Sequence, residues 1–225
     1  DHECTTLKEA KEKLANGMWI MIREGSTARN LKDLLPLVTP KNSRHLLFVT
    51  DDRHPKELLE EGHINSIVRK AIRLGTDPIL AIQMATLNAA EYFRLDDLGA
   101  IAAGYRADLI IFDHLGSFQI KKVFKDGVLV AEDGKMASRP VEASSFLKKG
   151  FQSSVRIKDI KGDTFMIRSN QPLAKVIQLI PDQIVTKKVI KKIILKDGIA
   201  LPNVKEDILK IAVMERHRAT GNVGI

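Results

Sequence analysis

The sequence predicts an α/β protein that opens with parallel βα units and passes into β-rich modules, and three observations predict it. Two short apolar runs, Met18–Ile22 and Leu46–Val49, read as buried strands, each followed by residues at helical spacing. After Gly99 the texture changes to short β-rich runs separated by Asp-Gly turns, the pattern of an antiparallel module. From about residue 141 a third region begins, mixing strand-like runs with polar stretches. The expected division is therefore 1–96, 97–140 and 141–225.

Each element has its own signal. Leu7, Ala10 and Leu14 fall at helical spacing, and Asn16-Gly17 ends that helix. The Met18 run stops at Arg23-Glu24. Gly25-Ser26-Thr27 then offers Ser26 or Thr27 as cap for a helix through Leu31, Leu34 and Leu35 to the Pro36 breaker. The Leu46 run ends in Thr50-Asp51-Asp52. Helical patterns follow at Leu58-Leu59 and at Ile64, Ile67, Val68, Ala71 and Ile72. Asp77 is placed to cap, and Pro78 to begin, a further helix carrying Ile79, Ile82, Ala85, Ala89 and Phe93. In the second region Leu109–Phe112, Ile120–Phe124 and Val128–Val130 read as strands, with turns at Asp126-Gly127 and Asp133-Gly134. Thr164–Arg168 and Val189–Leu195 are the strand-like runs of the third.

Composition narrows the class. With 44% hydrophobic residues over 225 positions the chain can bury a normal core. No run approaches the roughly 18 uncharged apolar residues of a membrane span, and the opening residues are charged rather than signal-like. One cysteine, Cys4, excludes an intramolecular disulfide or a four-cysteine zinc site and suits a reducing cytoplasm. The net charge of +8 raises the question of nucleic acid. Much of the excess lies late, at Lys148, Lys149, Arg156, Lys158, Lys161, Lys187, Lys188, Lys191 and Lys192, alternating with apolar residues. Base stacking needs aromatics, and only 5% of the chain is aromatic, so a solvated face is the better reading than a nucleic-acid footprint.

Chemistry in βα architectures gathers at the C-terminal ends of strands, which makes Arg23, Glu24, Asp51 and Asp52 the residues to watch. Carboxylates there can hold a metal and move protons to and from a bound water. A plain loop whose Asp caps the helix at Pro55 satisfies the same pattern. His2 and Glu3 lie about one βα unit earlier, so His2, Arg23-Glu24 and Asp51 would converge if successive units share one rim; an N-terminal polar loop is the alternative. A His and an Asp suit a borderline or hard divalent ion. Cys4 has no evident base partner. His217 and Arg218, beside Thr220-Gly221-Asn222, have turn character, and a surface role fits them better than catalysis.

The stretches DHECTT, MWIMIREGS, VTDDRHP, EEGHINSIVRKAI, AIQMATLNAAEYF and ERHRATGNVG together resemble the adenine deaminases of the amidohydrolase superfamily, across essentially the whole chain. GAIAAGYRADLIIFD resembles the segment by which amidohydrolases leave their barrel and re-enter a small β-sandwich. The resemblance implies the C-terminal part of a (β/α)8 TIM-like barrel, then a β-sandwich segment, then a partial α+β C-terminal domain. It implies hydrolysis of adenine to hypoxanthine and ammonia at a binuclear divalent metal centre, manganese or iron(II) with zinc also compatible, and no other cofactor. His2 and Asp51 would be metal ligands, and Asp51 the proton shuttle with Asp52 supporting or replacing it. Glu3, Arg23 and Glu24 would be rim residues in reach of the purine. The family's first-strand His-x-His pair, bridging Glu and fifth-strand His have no counterpart and would precede residue 1. These residues alone are therefore expected to bind metal poorly and not to turn over. The whole enzyme is expected to be a cytoplasmic homo-oligomer without nucleic-acid or membrane partners. A dihydroorotase-like or cytosine-deaminase-like relative is the second enzymatic reading, against which HRATGNVG argues, and a basic binding module is the non-enzymatic one.

Overall fold

The computed structural model describes residues 1–137 and 154–225, so Lys148 and Lys149 of the basic stretch lie outside the described residues. They fall into two units: the described residues of Asp1–Pro140 together with Leu179–Val185, and the described residues of Val141–Gln178 together with Thr186–Ile225.

The first unit is built around two parallel strands, β1 (Ile20–Arg23) and β2 (Leu46–Val49), in the register Ile20↔Leu46 and Ile22↔Phe48. Side chains alternate across a strand, so these four residues share one face. All four belong to the main hydrophobic cluster. Covering that face are α1 (Leu7–Ala15), α2 (Leu31–Leu34), α4 (Ile64–Arg73) and α5 (Pro78–Ala85), which supply Ala10, Leu31, Leu34, Ile67, Val68, Ala71, Ala81 and Met84. Each wholly buried Ile or Leu contributes roughly 1.5–3 kcal/mol by leaving water. Met21, Arg23, Leu47 and Val49 take the opposite face. The Asp1 nitrogen donates to Trp19 C=O and Asp1 C=O accepts from Met21 N–H, both at 2.8 Å, which places His2 just past a segment lying along β1.

Several expected elements form with shifted limits. Met18 and Trp19 stay outside β1 because the Trp19 ring packs on His45 at 5.0 Å and Tyr92 at 5.5 Å, closing the end of the sheet away from the charged residues. The helix expected from Ser26 or Thr27 is only the four residues of α2, with Asn30 at its N-cap, because the Ser26 and Thr27 side chains are taken by carboxylates elsewhere. α3 (Pro55–Glu60) begins with His54, not an Asp, at its N-cap. Asp77 caps α5 as its position suggests, accepting from the N–H groups of Ile79 and Leu80. The helix expected through Phe93 breaks at Thr86, whose backbone leaves helical values and whose hydroxyl bonds Ile82 C=O at 2.7 Å, and resumes as α6 (Leu87–Tyr92).

The antiparallel module is a four-stranded sheet in the order β3 (Leu109–Phe112), β4 (Ile120–Lys125), β5 (Val128–Glu132), β6 (Lys135–Met136). Asp126 and Asp133 adopt left-handed φ of 50° and 47° at its turns, a conformation short polar residues tolerate. In the second unit β7 (Leu173–Leu179) and β8 (Thr186–Lys192) form a two-stranded sheet, and β9 (Ile194–Lys196) pairs with β10 (Ile199–Leu201) across Asp197-Gly198. Val189–Leu195 thus spans the end of one strand and the start of another. Thr164–Arg168 is not a strand: turn bonds run from Thr164 N–H to Lys161 C=O and from Met166 N–H to Asp163 C=O, leaving only a bridge between Arg168 and Ile199. β11 (Val213–Met214) and β12 (Val223–Gly224) close the chain as a small antiparallel pair. Lys187, Lys188, Lys191 and Lys192 are exposed. Among the described residues no helix is long and apolar enough to cross a membrane.

Candidate active site at the strand ends

Arg23 is the last residue of β1, and its side chain is only 4% exposed. One face of the strand belongs to the helices, so Arg23 lies with Val49 on the other, at the C-terminal edge. Its Nη1 donates to Asp51 Oδ2 at 2.5 Å, which brings two of the sequence-predicted residues together. Among the described residues Nε and Nη2 have no protein partner. A buried guanidinium with one ion pair is costly, because two donors have given up water without replacement. Asp51 reaches it by turning out of β2 at a left-handed φ of 52°. Its carboxylate remains 37% exposed, and Oδ1 has no protein partner among the described residues.

Glu24 prolongs the β1–β2 ladder by donating its N–H to Val49 C=O at 3.0 Å. Its carboxylate is 7% exposed, accepts from Leu31 N–H at 3.2 Å and is bonded by Lys70. Glu24 therefore anchors the start of α2 and ties it to α4, with little surface left open. Between Glu24 and Asn30 the chain turns back: Gly25 N–H donates to Ala28 C=O, and Ser26 N–H to Asp52 C=O. The Thr27 hydroxyl bonds the Asp52 carboxylate, so Asp52 is engaged with this turn rather than with Arg23.

Ser26 works in both directions, its hydroxyl donating to Glu57 and accepting from His54 N–H at 2.8 Å. Glu57 also holds Arg29 at 2.8 Å. The Ser26 hydroxyl, followed by the Arg29 and Arg53 cations, holds the Glu57 carboxyl below its ordinary range. Arg53 spans the next layer, with Nη1 on Ser66 Oγ at 2.8 Å and Nη2 on Glu61. Thr50 Oγ1 lies 3.3 Å from His63 Nε2, one residue before Asp51.

The structure thus joins Arg23 to Asp51 and links Asp52 to them through the Gly25–Arg29 turn. It shows no hydrogen bond from the His2 ring or the Glu3 carboxylate to that group; both residues are exposed, and Glu3 only donates its N–H to Asp1 Oδ1. Ser26, Thr27, Glu57, Arg53 and Lys70 were not singled out as site residues from sequence. The Gly25 punctuation directly after a strand is a local signal for Ser26 and Thr27; Arg53, Glu57 and Lys70 reach the group only by tertiary contact.

Among the described residues one group of three metal-capable side chains is close-set: Asp1, Cys4 and Glu9. The Lys13 ammonium already bonds both carboxylates. Burial pushes the Cys4 thiol up, so the cluster suits a cation that is already there.

A parallel strand pair with helices on one face and a carboxylate rim at its C-terminal edge defines an α/β protein of the kind whose chemistry sits on strand ends. More narrowly, residues 2–130 match the Amidohydrolase family, and the chain belongs to that family. It is 50% identical, over its whole length, to a protein named adenine deaminase from Desulfatibacillum aliphaticivorans, of which it covers 39%. It is 48% identical to adenine deaminase 2 of Carboxydothermus hydrogenoformans, again covering 39% of that protein. The chain spans about two-fifths of the length of the curated relatives it matches. A solved beta-aspartyl dipeptidase of Fervidobacterium islandicum aligns with 60% of this chain and 39% of its own at 20% identity, with a TM-score of 0.47.

Proposed function

We propose that the protein containing these residues hydrolyses adenine to hypoxanthine and ammonia. The observation that carries the reading is the extent of the likeness: proteins named adenine deaminase align with this chain over its whole length at 48–50% overall identity. In the same reading, 1–96 are the last units of a TIM-like barrel, 97–140 a β-sandwich segment and 141–225 a partial C-terminal domain.

The donor set fits a divalent metal. The His2 imidazole and Asp51 Oδ1 are free of protein partners among the described residues, and nitrogen and oxygen donors without thiolate suit manganese, iron(II) or zinc. When bound, such an ion supplies the Lewis acidity that yields hydroxide at neutral pH. Asp51 takes a proton from the water that attacks C6 of the purine and delivers one to the exocyclic nitrogen, so that the C–N bond breaks and ammonia leaves. Arg23 aims Asp51 by holding Oδ2. Asp52, through Thr27 and the Ser26 N–H, fixes the turn beside it. Glu3, exposed near the start of the chain, is the residue of the proposed substrate set with a side chain open to a purine; Arg23 and Glu24 act from beneath. The whole enzyme is read as a homo-oligomer of the cytoplasm.

Ammonia release from adenine by the product of the complete open reading frame, loaded with Mn(II) or Fe(II), tests this. Activity that falls by about 10³-fold or more in Asp51→Asn supports substrate and role together. A metal-loaded parent that leaves adenine untouched but opens another cyclic amidine or amide would move the assignment within the family.

A further inference from the structure

Behind Arg23 stands Asn30, which is wholly buried. Its N–H donates to Arg23 C=O at 2.9 Å, and its own C=O accepts from Leu34 N–H at 3.0 Å, starting α2. The residue therefore couples the backbone of the Asp51-holding arginine to the helix behind it. A buried amide needs partners, and the partner of Asn30 Nδ2 is Gln183 Oε1, at 2.8 Å and 153 positions further along the chain.

The neighbouring contacts follow the same path. Arg29 N–H donates to Asp182 C=O at 2.9 Å, where Asp182 takes a left-handed φ of 59°. Its carboxylate lies 3.9 Å from Arg29 Nε, and Gln183 Nε2 donates to Asp33 at 3.4 Å. Two successive residues of Leu179–Val185 thus hold two successive residues of the turn that leaves β1. Arg29 passes the constraint to Glu57 and so to Ser26; Asn30 passes it to Arg23 and so to Asp51.

We infer that Leu179–Val185 is a brace for the active site, in which the Asp182 carbonyl and the Gln183 side chain fix Arg29–Asn30 and thereby set the position of Arg23 and Asp51. Gln183 is a positioning residue that touches neither substrate nor metal. Its kinetic consequence rests on the deaminase reading, whereas the mechanical one does not. Loss of the Gln183 acceptor leaves a buried Asn30 donor unsatisfied, and the turn relaxes to find it a partner.

The experiment compares the complete protein with Gln183→Met, which keeps the size and removes the acceptor, and Gln183→Glu, which keeps an acceptor for Asn30. In Gln183→Met, amide exchange at Arg29 and Asn30 rises about tenfold or more while the α4 amides of Ile67–Ala71 are unchanged. Its kcat for ammonia release falls about tenfold with KM within about twofold, since a misplaced Asp51 weakens the transition state more than binding. Gln183→Glu recovers part of both, since one oxygen still accepts from Asn30 while the other faces the Asp33 carboxylate that Nε2 bonds in the parent. Unchanged exchange at Arg29 and Asn30 overturns the brace, and raised exchange with unchanged kcat overturns its role in the reaction. A wild-type protein inert toward adenine defeats the deaminase reading instead, and the exchange comparison still decides whether the brace exists.

Discussion

Gly25 shows how little room the site leaves at single residues. A Cβ there would stand 2.8 Å from Thr50 C=O and closer still to the Asp52 carboxylate, so the strand-end loops approach as closely as backbone alone permits. Gly25→Ala should therefore separate the two loops rather than merely stiffen one. Since Asp51 lies between Thr50 and Asp52, a shift on the order of 1 Å there is expected to cost roughly 10²-fold in kcat. Circular dichroism should remain that of the parent. An active Gly25→Ala protein within about twofold of wild type would mean that the loop contact does not set Asp51. Arg23, Asp51 and Asp52 were legible as strand-end residues because charge placed directly after an apolar run marks where a strand stops. Their partners were not, since Glu57, Lys70 and Gln183 reach the site by tertiary contact from exposed-looking helical or loop positions that carry no local signature.

Elements were legible where periodicity and turn chemistry agreed, as in α1, α4, β2 and the meander β3–β5. They were not where a side chain took a partner that periodicity does not show: Thr86 turns its hydroxyl onto Ile82 C=O and breaks a helix that reads as continuous, and Trp19 leaves its strand for His45 and Tyr92. Asn88 gives the same lesson for α6. It is wholly buried, with Nδ2 on the carbonyls of Ser43 and Leu46 at 2.7 Å and Oδ1 on Arg44 at 3.0 Å. Asn88→Ala strands two carbonyls at the start of β2 and should lower unfolding stability by roughly 2–3 kcal/mol, read from urea midpoints at unchanged slope. A loss below about 0.5 kcal/mol would show that the helix, not its asparagine, holds β2. In the second unit the turn between β11 and β12 is held by one carboxylate. The N–H groups of Thr220, His217 and Arg218 bring Glu215 down from 4.5 to about 2. A depressed folded pKa means that this contribution is complete above the unfolded value near 4.5 and is lost as pH falls through the folded value near 2. A carboxyl-carbon NMR titration of Glu215 should show a midpoint near 2, and a midpoint near 4.5 would mean the amides do not bind it in solution.

At the scale of the whole molecule, the order of parallel βα units followed by an antiparallel module was readable because each type has its own period. The docking of Leu179–Val185 against Arg29 and Asn30 was not, because contacts across 150 positions leave no trace in local pattern. The metal is the remaining whole-molecule question, and stability answers it independently of turnover. An ion that binds the folded state alone stabilises it, by about 2.7 kcal/mol when its concentration is 100 times its dissociation constant. Chelation of the complete protein should therefore lower Tm, and restoring Mn(II) should return it. Asp51→Asn offers the ion a neutral amide oxygen in place of a carboxylate, so the Tm difference between loaded and chelated forms should shrink, and His2→Ala should shrink it too. Glu24→Gln serves as the control, because Glu24 is committed to Lys70 and the start of α2; it should lower both melting temperatures while leaving the difference between them intact. A difference that survives in Asp51→Asn would remove Asp51 from the ligand set while leaving its Arg23-held carboxylate available for proton transfer.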